Sequence, residues 1–187
     1  MSIKNYIKVV DGVLPVTTIS QLIKFSCQLN FEQALTIGSK DYEKVKAVRN
    51  TQSYHLHKYH QTMSDSHWFN LIESVFRKKF NEYRKIFKEA NFKSVVDIAL
   101  LKYEEGGFYK FHTDHHATIP RTMSGILTLN NDYEGGELCF LDEFTKEETI
   151  IHPKPGRLII WPSNFIFPHK VNTIKKGTRY SVVIWAL

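Results

Sequence analysis

The sequence has little of several things. Cysteine is nearly absent: Cys27 and Cys139 lie far apart, too few for a disulfide framework and no zinc site on their own. A reducing compartment, the cytoplasm, is therefore the expected setting. No apolar run approaches the roughly 18 residues that a membrane span requires. The opening residues, Met1-Ser2-Ile3-Lys4-Asn5-Tyr6, hold one basic residue and no long apolar stretch, so they do not read as a signal peptide. Internal repeats, low-complexity tracts and Gly/Ser linkers are missing too. Nothing divides the chain, and residues 1–187 are expected to form a single domain around one core.

What is present fits a globular chain. Apolar residues make up 42% and charged residues 24%, a balance that excludes disorder. The formal charge of +6 leaves room for an acidic partner. Its densest stretch, Arg77-Lys78-Lys79 with Arg84-Lys85 and Lys88, shares a helical segment with apolar residues. That favours a solvated helix face over a nucleic-acid surface.

The chain changes character near its middle. Thr18 or Ser20 is a candidate cap for a first helix running to about Asn30. Phe69, Ile72, Phe76, Phe80, Tyr83 and Phe87 recur at steps of three and four, predicting a longer helix from about Ser64-Asp65 to Ala90 that packs on a sheet. Between them, residues 38–61 are polar and include His55, His57 and His60. A mobile loop or hairpin near an active site suits this stretch better than a metal site, since no carboxylate or cysteine follows at ligand spacing. From about Ser94 the pattern turns to short strands at 95–103, 124–130, 137–141, 149–152, 157–161, 169–171 and 179–185, separated by Gly-, Asn- and Pro-containing turns. Such spacing indicates an antiparallel sandwich or barrel, and two four-stranded sheets in jelly-roll order would leave an open mouth for a site.

The sharpest local signal is Phe111-His112-Thr113-Asp114. In extended backbone, residues i and i+2 share a face, so His112 and Asp114 present an imidazole and a carboxylate to one point. A second histidine from another strand would complete the 2-His-1-carboxylate face that suits Fe(II) with open positions. The candidates are His115, His116, His152 and His169. The first two are too near in the chain to approach from a different strand. His152 ends a strand before a Pro-rich turn, where solvent suits it. His169 follows an apolar loop ending in Pro168 and begins a strand that can cross the site, so it is preferred, with His152 next.

The last strand holds a second signal. Tyr180, Val182 and Ile184 form a core face; Arg179, Ser181, Val183 and Trp185 form the other. Arginine and serine on an apolar strand are costly unless paired, and a small-ligand carboxylate would satisfy both.

These residues carry a family resemblance. His112-Thr113-Asp114, then His169, then Arg179, resembles the pattern of the prolyl 4-hydroxylase-like oxygenases, which use Fe(II) and 2-oxoglutarate. Tyr103, Gly106 and Tyr109 before the first histidine, and Leu129-Asn130, Tyr133-Glu134-Gly135-Gly136-Glu137-Leu138, Pro155-Gly156 and Phe167-Pro168-His169-Lys170-Val171 after it, are similar to segments of the same family. The resemblance runs from about Val95 to Leu187. It implies a mainly β fold with packed helices: a double-stranded β-helix (jelly roll) core over about 93–187, with helices within about 1–92 supporting one sheet.

It also implies roles. His112, Asp114 and His169 would bind iron; Arg179, assisted by Ser181, would pair with the distal carboxylate of 2-oxoglutarate; Tyr103 would donate its hydroxyl to that co-substrate. Tyr109, Arg121 and Trp185 would line the substrate pocket. The implied reaction uses O2 and yields succinate and CO2, with ascorbate as reductant, and the implied substrate is a prolyl residue in a peptide or protein. One departure is the strand Gly125-Ile126-Leu127-Thr128, where some prolyl hydroxylases place a further tyrosine. Two rivals stand beside this reading. An oxidative nucleic-acid demethylase would carry a second arginine six residues after the first, where this chain has Trp185. A non-catalytic jelly-roll binding module would not need all three ligands and the arginine.

Overall fold

The computed structural model describes residues 2–36, 42–56, 62–90 and 92–187. A 3-10 turn at Ile3–Tyr6 leads to β1 (Lys8–Val10), α1 (Val16–Ser26), β2 (Glu32–Gln33), α2 (Tyr42–Lys46), β3 (Arg49–Asn50), β4 (Gln52–His55) and the long α3 (Met63–Ile86). Strands follow one another thereafter: β5 (Val95–Tyr103), β6 (Phe108–His112), β7 (Met123–Thr128), β8 (Glu134–Gly135), β9 (Leu138–Leu141), β10 (Glu148–Ile151), β11 (Leu158–Pro162), β12 (His169–Val171), β13 (Ile174–Lys176) and β14 (Arg179–Ala186).

The strands form a seven-stranded sheet in the order β1-β11-β7-β14-β5-β4-β2 and a five-stranded sheet in the order β10-β9-β12-β6-β3; β13 and β8 make a small ribbon. The pairings are antiparallel, and the architecture is mainly β, a double-stranded β-helix with helices on one side. The expected pair of four-stranded sheets needs correction. Residues 1–92 are not simply helical: β1, β2 and β4 extend the large sheet and β3 extends the small one. Within 38–61, expected as a loop or hairpin near the site, α2, β3 and β4 form, and β4 pairs in register with β5, His55 opposite Ala99. Residues 37–41 and 57–61, including His57 and His60, lie outside the described residues.

Helix ends moved too. α1 starts at Val16 with Pro15 at the cap position, two residues before Thr18, and the Ser20 hydroxyl donates back to the Val16 carbonyl rather than capping. Proline's fixed φ, here −59°, prepares this start. The helix ends at Ser26, short of Asn30. α3 begins at Met63, where the Thr62 hydroxyl accepts from the Asp65 amide at 3.1 Å, and ends at Ile86, short of Ala90. Its basic residues lie toward solvent: Arg77 pairs with Glu73 and Lys79 with Glu82.

Two apolar layers result. Ile72, Phe76, Phe80 and Tyr83 of α3 pack on the helix-facing side of the large sheet, against Ile98, Leu100, Leu127, Val182 and Ile184. Between the sheets, Ala99, Leu101, Ile126, Val183 and Trp185 meet Leu138, Phe140 and Val171. Period-two alternation along β5, β7 and β14 separates these layers, so every inner position on those strands faces the site. Glycine at 125 lets α3 approach: a Cβ there would lie 2.7 Å from Cε1 of the fully buried Phe76 ring. Gly125→Ala should therefore destabilise the fold by about 1–3 kcal/mol, read as a lower urea midpoint; an unchanged midpoint would show that the helix yields freely.

No helix among the described residues is long and apolar enough to cross a membrane. Cys27 is exposed, Cys139 is buried, and both are free.

Candidate metal centre and its cavity

Antiparallel pairing of β12 with β6 sets His169 directly opposite His112, and Asp114 follows two residues past the end of β6. The ligand atoms of His112, Asp114 and His169 all lie within 4.8 Å of one another, and this is the one such group among the described residues. His112 Nε2 is 3.8 Å from Asp114 Oδ1, and His169 Nε2 is 3.5 Å from Asp114 Oδ2. The other candidate histidines do not join this group, although His115 and His116 line the same cavity. His115 Nδ1 is 3.0 Å from the Arg121 carbonyl, His116 Nδ1 is 2.8 Å from the Thr118 hydroxyl, and His152 is exposed.

Both imidazoles are oriented from behind. His112 Nδ1 lies 2.8 Å from the Lys110 carbonyl and His169 Nδ1 lies 3.1 Å from the Phe167 carbonyl. A carbonyl can only accept, so each ring carries a proton on Nδ1 and turns its Nε2 to the centre. Burial, together with the neighbouring His169, drives the His112 pKa down to about 3, so its ring is neutral and able to ligate. For Asp114 burial acts to raise the pKa, but the two imidazoles and the Ser124 hydroxyl outweigh it and hold the carboxyl below its usual range. Ser124 Oγ donates to Asp114 Oδ2 at 2.6 Å and lies 2.7 Å from Ser163 Oγ, a buried relay that fixes the carboxylate's rotation. Two oriented imidazoles and one carboxylate, each fixed, fit a divalent ion such as Fe(II). Ser124→Ala should weaken metal affinity about 10- to 100-fold without removing a ligand. Titration calorimetry with Mn(II) would read this, and equal affinity would mean that the relay does not tune the site.

Arg179 is buried at 2% exposure, so its charge needs an answer. Its NH1 donates to the Ser181 hydroxyl at 3.0 Å and its guanidinium lies 5.0 Å from the Tyr103 ring centre, but no carboxylate pairs with it among the described residues. Tyr103 is its cross-strand partner and also lines the cavity that holds the triad. Thr128 pairs with Ser181 across β7 and β14. With Arg179 and Tyr133 it also lines a small adjoining void of about 10 Å³. The Tyr133 hydroxyl is buried beside Arg179, in the Tyr133–Leu138 segment that carries part of the family resemblance.

The main cavity has a volume of about 350 Å³. Tyr109, Arg121 and Trp185 all line it. Tyr109 stacks on His112 with ring centres 3.5 Å apart, and the Arg121 guanidinium lies 3.8 Å from the Trp185 ring centre. Arg49 and His55, from the 38–61 stretch expected near the site, line the same space, as does Asp97, which sequence reasoning did not single out. His55 Nδ1 and Asp97 Oδ1 are 2.9 Å apart. Asp97 had a signal, its alternation with Ala99, Leu101 and Tyr103 on the inner face of β5; Arg49, on a two-residue strand, had none.

Comparison with known proteins agrees with this geometry. Residues 98–187 match the family model described as the 2OG-Fe(II) oxygenase superfamily. Human prolyl 3-hydroxylase 2 is 41% identical over 66 residues, 35% of this chain and 9% of that protein. A PKHD-type hydroxylase of Rippkaea orientalis is 31% identical over 102 residues, 50% of this chain and 43% of that protein. The chain thus spans less than half the length of these curated relatives. Among solved structures, a prolyl hydroxylase from Trichoplax adhaerens, in complex with a hypoxia-inducible-factor oxygen-degradation-domain peptide fragment, superposes with a TM-score of 0.79 at 16% identity, covering 98% of this chain and 84% of that one. A Pseudomonas putida prolyl-4-hydroxylase gives 0.74 at 17% identity, covering 97% and 91%. Identities this low establish a common fold.

Proposed function

From the match of residues 98–187 to the 2OG-Fe(II) oxygenase superfamily, we propose that this chain hydroxylates prolyl residues in a peptide or protein, coupled to oxidative decarboxylation of 2-oxoglutarate to succinate and CO2. The observation that carries this reading is the pairing of two unmet needs in one fold. Three oriented donors converge on a point, and a buried arginine lacks an anion.

His112, Asp114 and His169 would hold Fe(II), which when bound supplies activation of O2 for that coupled reaction. The protein's own part is positioning. The Lys110 and Phe167 carbonyls keep the Nδ1 protons in place, and Ser124 keeps Asp114 aimed. Arg179 and Ser181 would grip the distal carboxylate of 2-oxoglutarate, with the Tyr103 hydroxyl assisting. Thr128 and Tyr133 border the void beside Arg179 and would offer hydroxyls to the same carboxylate. Tyr109, Arg121 and Trp185 would wall the substrate. Ascorbate would serve as reductant. The cytoplasm is the compartment that suits two free cysteines, and the N-terminal strands that extend both sheets support a reading of residues 1–187 as one domain.

The comparisons support a peptide substrate: one neighbour of the same fold is a prolyl hydroxylase in complex with a peptide fragment. Incubation with Fe(II), 2-oxoglutarate and ascorbate against a panel of proline-containing peptides should release succinate and add one oxygen atom to proline, read by tandem mass spectrometry. Succinate release with no peptide hydroxylated would leave the oxygenase chemistry and sink the prolyl substrate; no succinate under any condition would sink both.

A further inference from the structure

Of the two arginines lining the main cavity, Arg49 is the more deeply buried, and it makes no ion pair among the described residues. It is 9% exposed. The carboxylates lining the cavity are Asp97, which meets His55, and Asp114, which meets the two imidazoles. Neither makes an ion pair with Arg49, nor does any other carboxylate among the described residues.

Arg49 is nevertheless firmly held. Its backbone pairs with Tyr109 across β3 and β6, and its carbonyl accepts from the Gln33 side-chain amide at 3.3 Å. Its guanidinium lies 4.6 Å from the Tyr109 ring centre, and that ring in turn stacks on His112. NH1 donates to the Leu35 carbonyl at 3.1 Å. These contacts use one terminal nitrogen and one face of the group. They leave Nε, which is buried and has no hydrogen-bond partner. The Nε edge of a guanidinium is one of the two-donor forks that match a carboxylate. Two further buried donors without partners belong to cavity-lining residues, Arg121 Nε and Trp185 Nε1. The mouth is thus rich in unmet N–H groups, and its own carboxylates are already engaged.

We propose that Arg49 binds a carboxylate of the substrate, so that this enzyme selects an acidic group close to the carbon it hydroxylates. The proposal rests on the prolyl hydroxylase reading above and sharpens it. The carboxylate has two possible sources with the same chemistry: an Asp or Glu side chain flanking the target in a peptide, or the α-carboxylate of the target residue itself. A backbone carbonyl would offer Arg49 one acceptor and no charge, and would leave the arginine's burial uncompensated.

The test compares isosteres. Blocked pentapeptides with a central proline would carry Asp or Asn at each other position in turn, and N-acetylproline would be paired with its amide. Binding is measured by calorimetry on the Mn(II)- and 2-oxoglutarate-loaded protein, and turnover separately by mass spectrometry on the Fe(II) form. At one peptide position, or in the N-acetylproline pair, the carboxylate form should bind about 10- to 100-fold more tightly than its amide, the range expected of a charge-assisted hydrogen-bond pair. The position that responds identifies the source. In Arg49→Gln the ratio should fall to about one, and in Arg49→Lys, which keeps charge and loses the fork, to an intermediate value. The wild-type ratio is informative even if a variant fails to fold. Ratios near one throughout, with neutral peptides bound and hydroxylated, overturn this proposal and leave the prolyl reading standing. A ratio that survives in Arg49→Gln also overturns it and moves the carboxylate to Arg121. No binding of any proline probe overturns both.

Discussion

Arg179→Ala should raise the Michaelis constant for 2-oxoglutarate by roughly 100-fold or more. Removing one side of a buried ion pair typically costs about 3–5 kcal/mol, and each 1.4 kcal/mol is a factor of ten. The premise is visible in the structure: the guanidinium is buried, its NH1 is held by Ser181, and no protein carboxylate answers it among the described residues. Arg179→Lys keeps the charge but loses the planar fork, so its increase should be large yet smaller than that of alanine. Ser181→Ala removes a neutral acceptor that orients the guanidinium, at about 0.5–1.5 kcal/mol, and should give the smallest increase. Metal affinity should hardly move in any of the three, since none of these side chains belongs to the His112–Asp114–His169 cluster. Steady-state kinetics and calorimetric 2-oxoglutarate binding would check the order. Unchanged values in Arg179→Ala would remove the co-substrate assignment.

His112→Ala, Asp114→Ala and His169→Ala should each abolish 2-oxoglutarate turnover while the thermal melt of the metal-free protein stays cooperative. Each deletion leaves two ligands where three are needed to hold the ion and keep positions open. The three variants should differ in a secondary way. Asp114→Ala frees Ser124 and Ser163 to pair only with each other, while His112→Ala removes the ring on which Tyr109 stacks. Chelation of the wild-type protein should reproduce the loss, and added Fe(II) should reverse it. Full turnover in His169→Ala would mean a wrong third ligand, although His152 is exposed and outside the cluster.

What the sequence disclosed and what it hid divide along physical lines. The alternation of Arg179 and Ser181 against Tyr180 and Val182 placed the arginine on the inner face, because period two is set by the strand itself. The α3 stripe was legible for the same reason, at period 3.6. The spacing His112-x-Asp114 was legible because two residues bring both groups to one side. By contrast β1, β2, β3 and β4 are two to four residues long, and Glu32-Gln33 or Arg49-Asn50 show no strand pattern. They are strands because they add to sheet edges or neighbours built elsewhere in the chain, and only tertiary pairing reveals that. Arg49 and His55 entered the cavity through those same pairings, whereas Asp97 sits on the inner face of the long β5. The Arg121–Trp185 stack joins a loop to β14, a meeting that no local pattern encodes.

The order in which the strands pair also bears on how the chain is made. β14, the last strand in sequence, lies between β7 and β5 in the middle of the large sheet, while β1, the first, waits at its edge for β11, Lys8 opposite Ile160. At ordinary rates of synthesis the ribosome needs roughly 10–30 s to travel between those two partners. Once made, α3 exposes Phe76 and Phe80 until its sheet is complete, and the two halves of that sheet lack the strand that joins them until β14 follows. Folding must therefore await release of β14, and the nascent chain is a natural client for chaperones that shield aromatic surface. A translation product stopped before Arg179 would lose the carboxylate anchor and the seam of the sheet together, and should aggregate rather than persist as a folded, inactive protein.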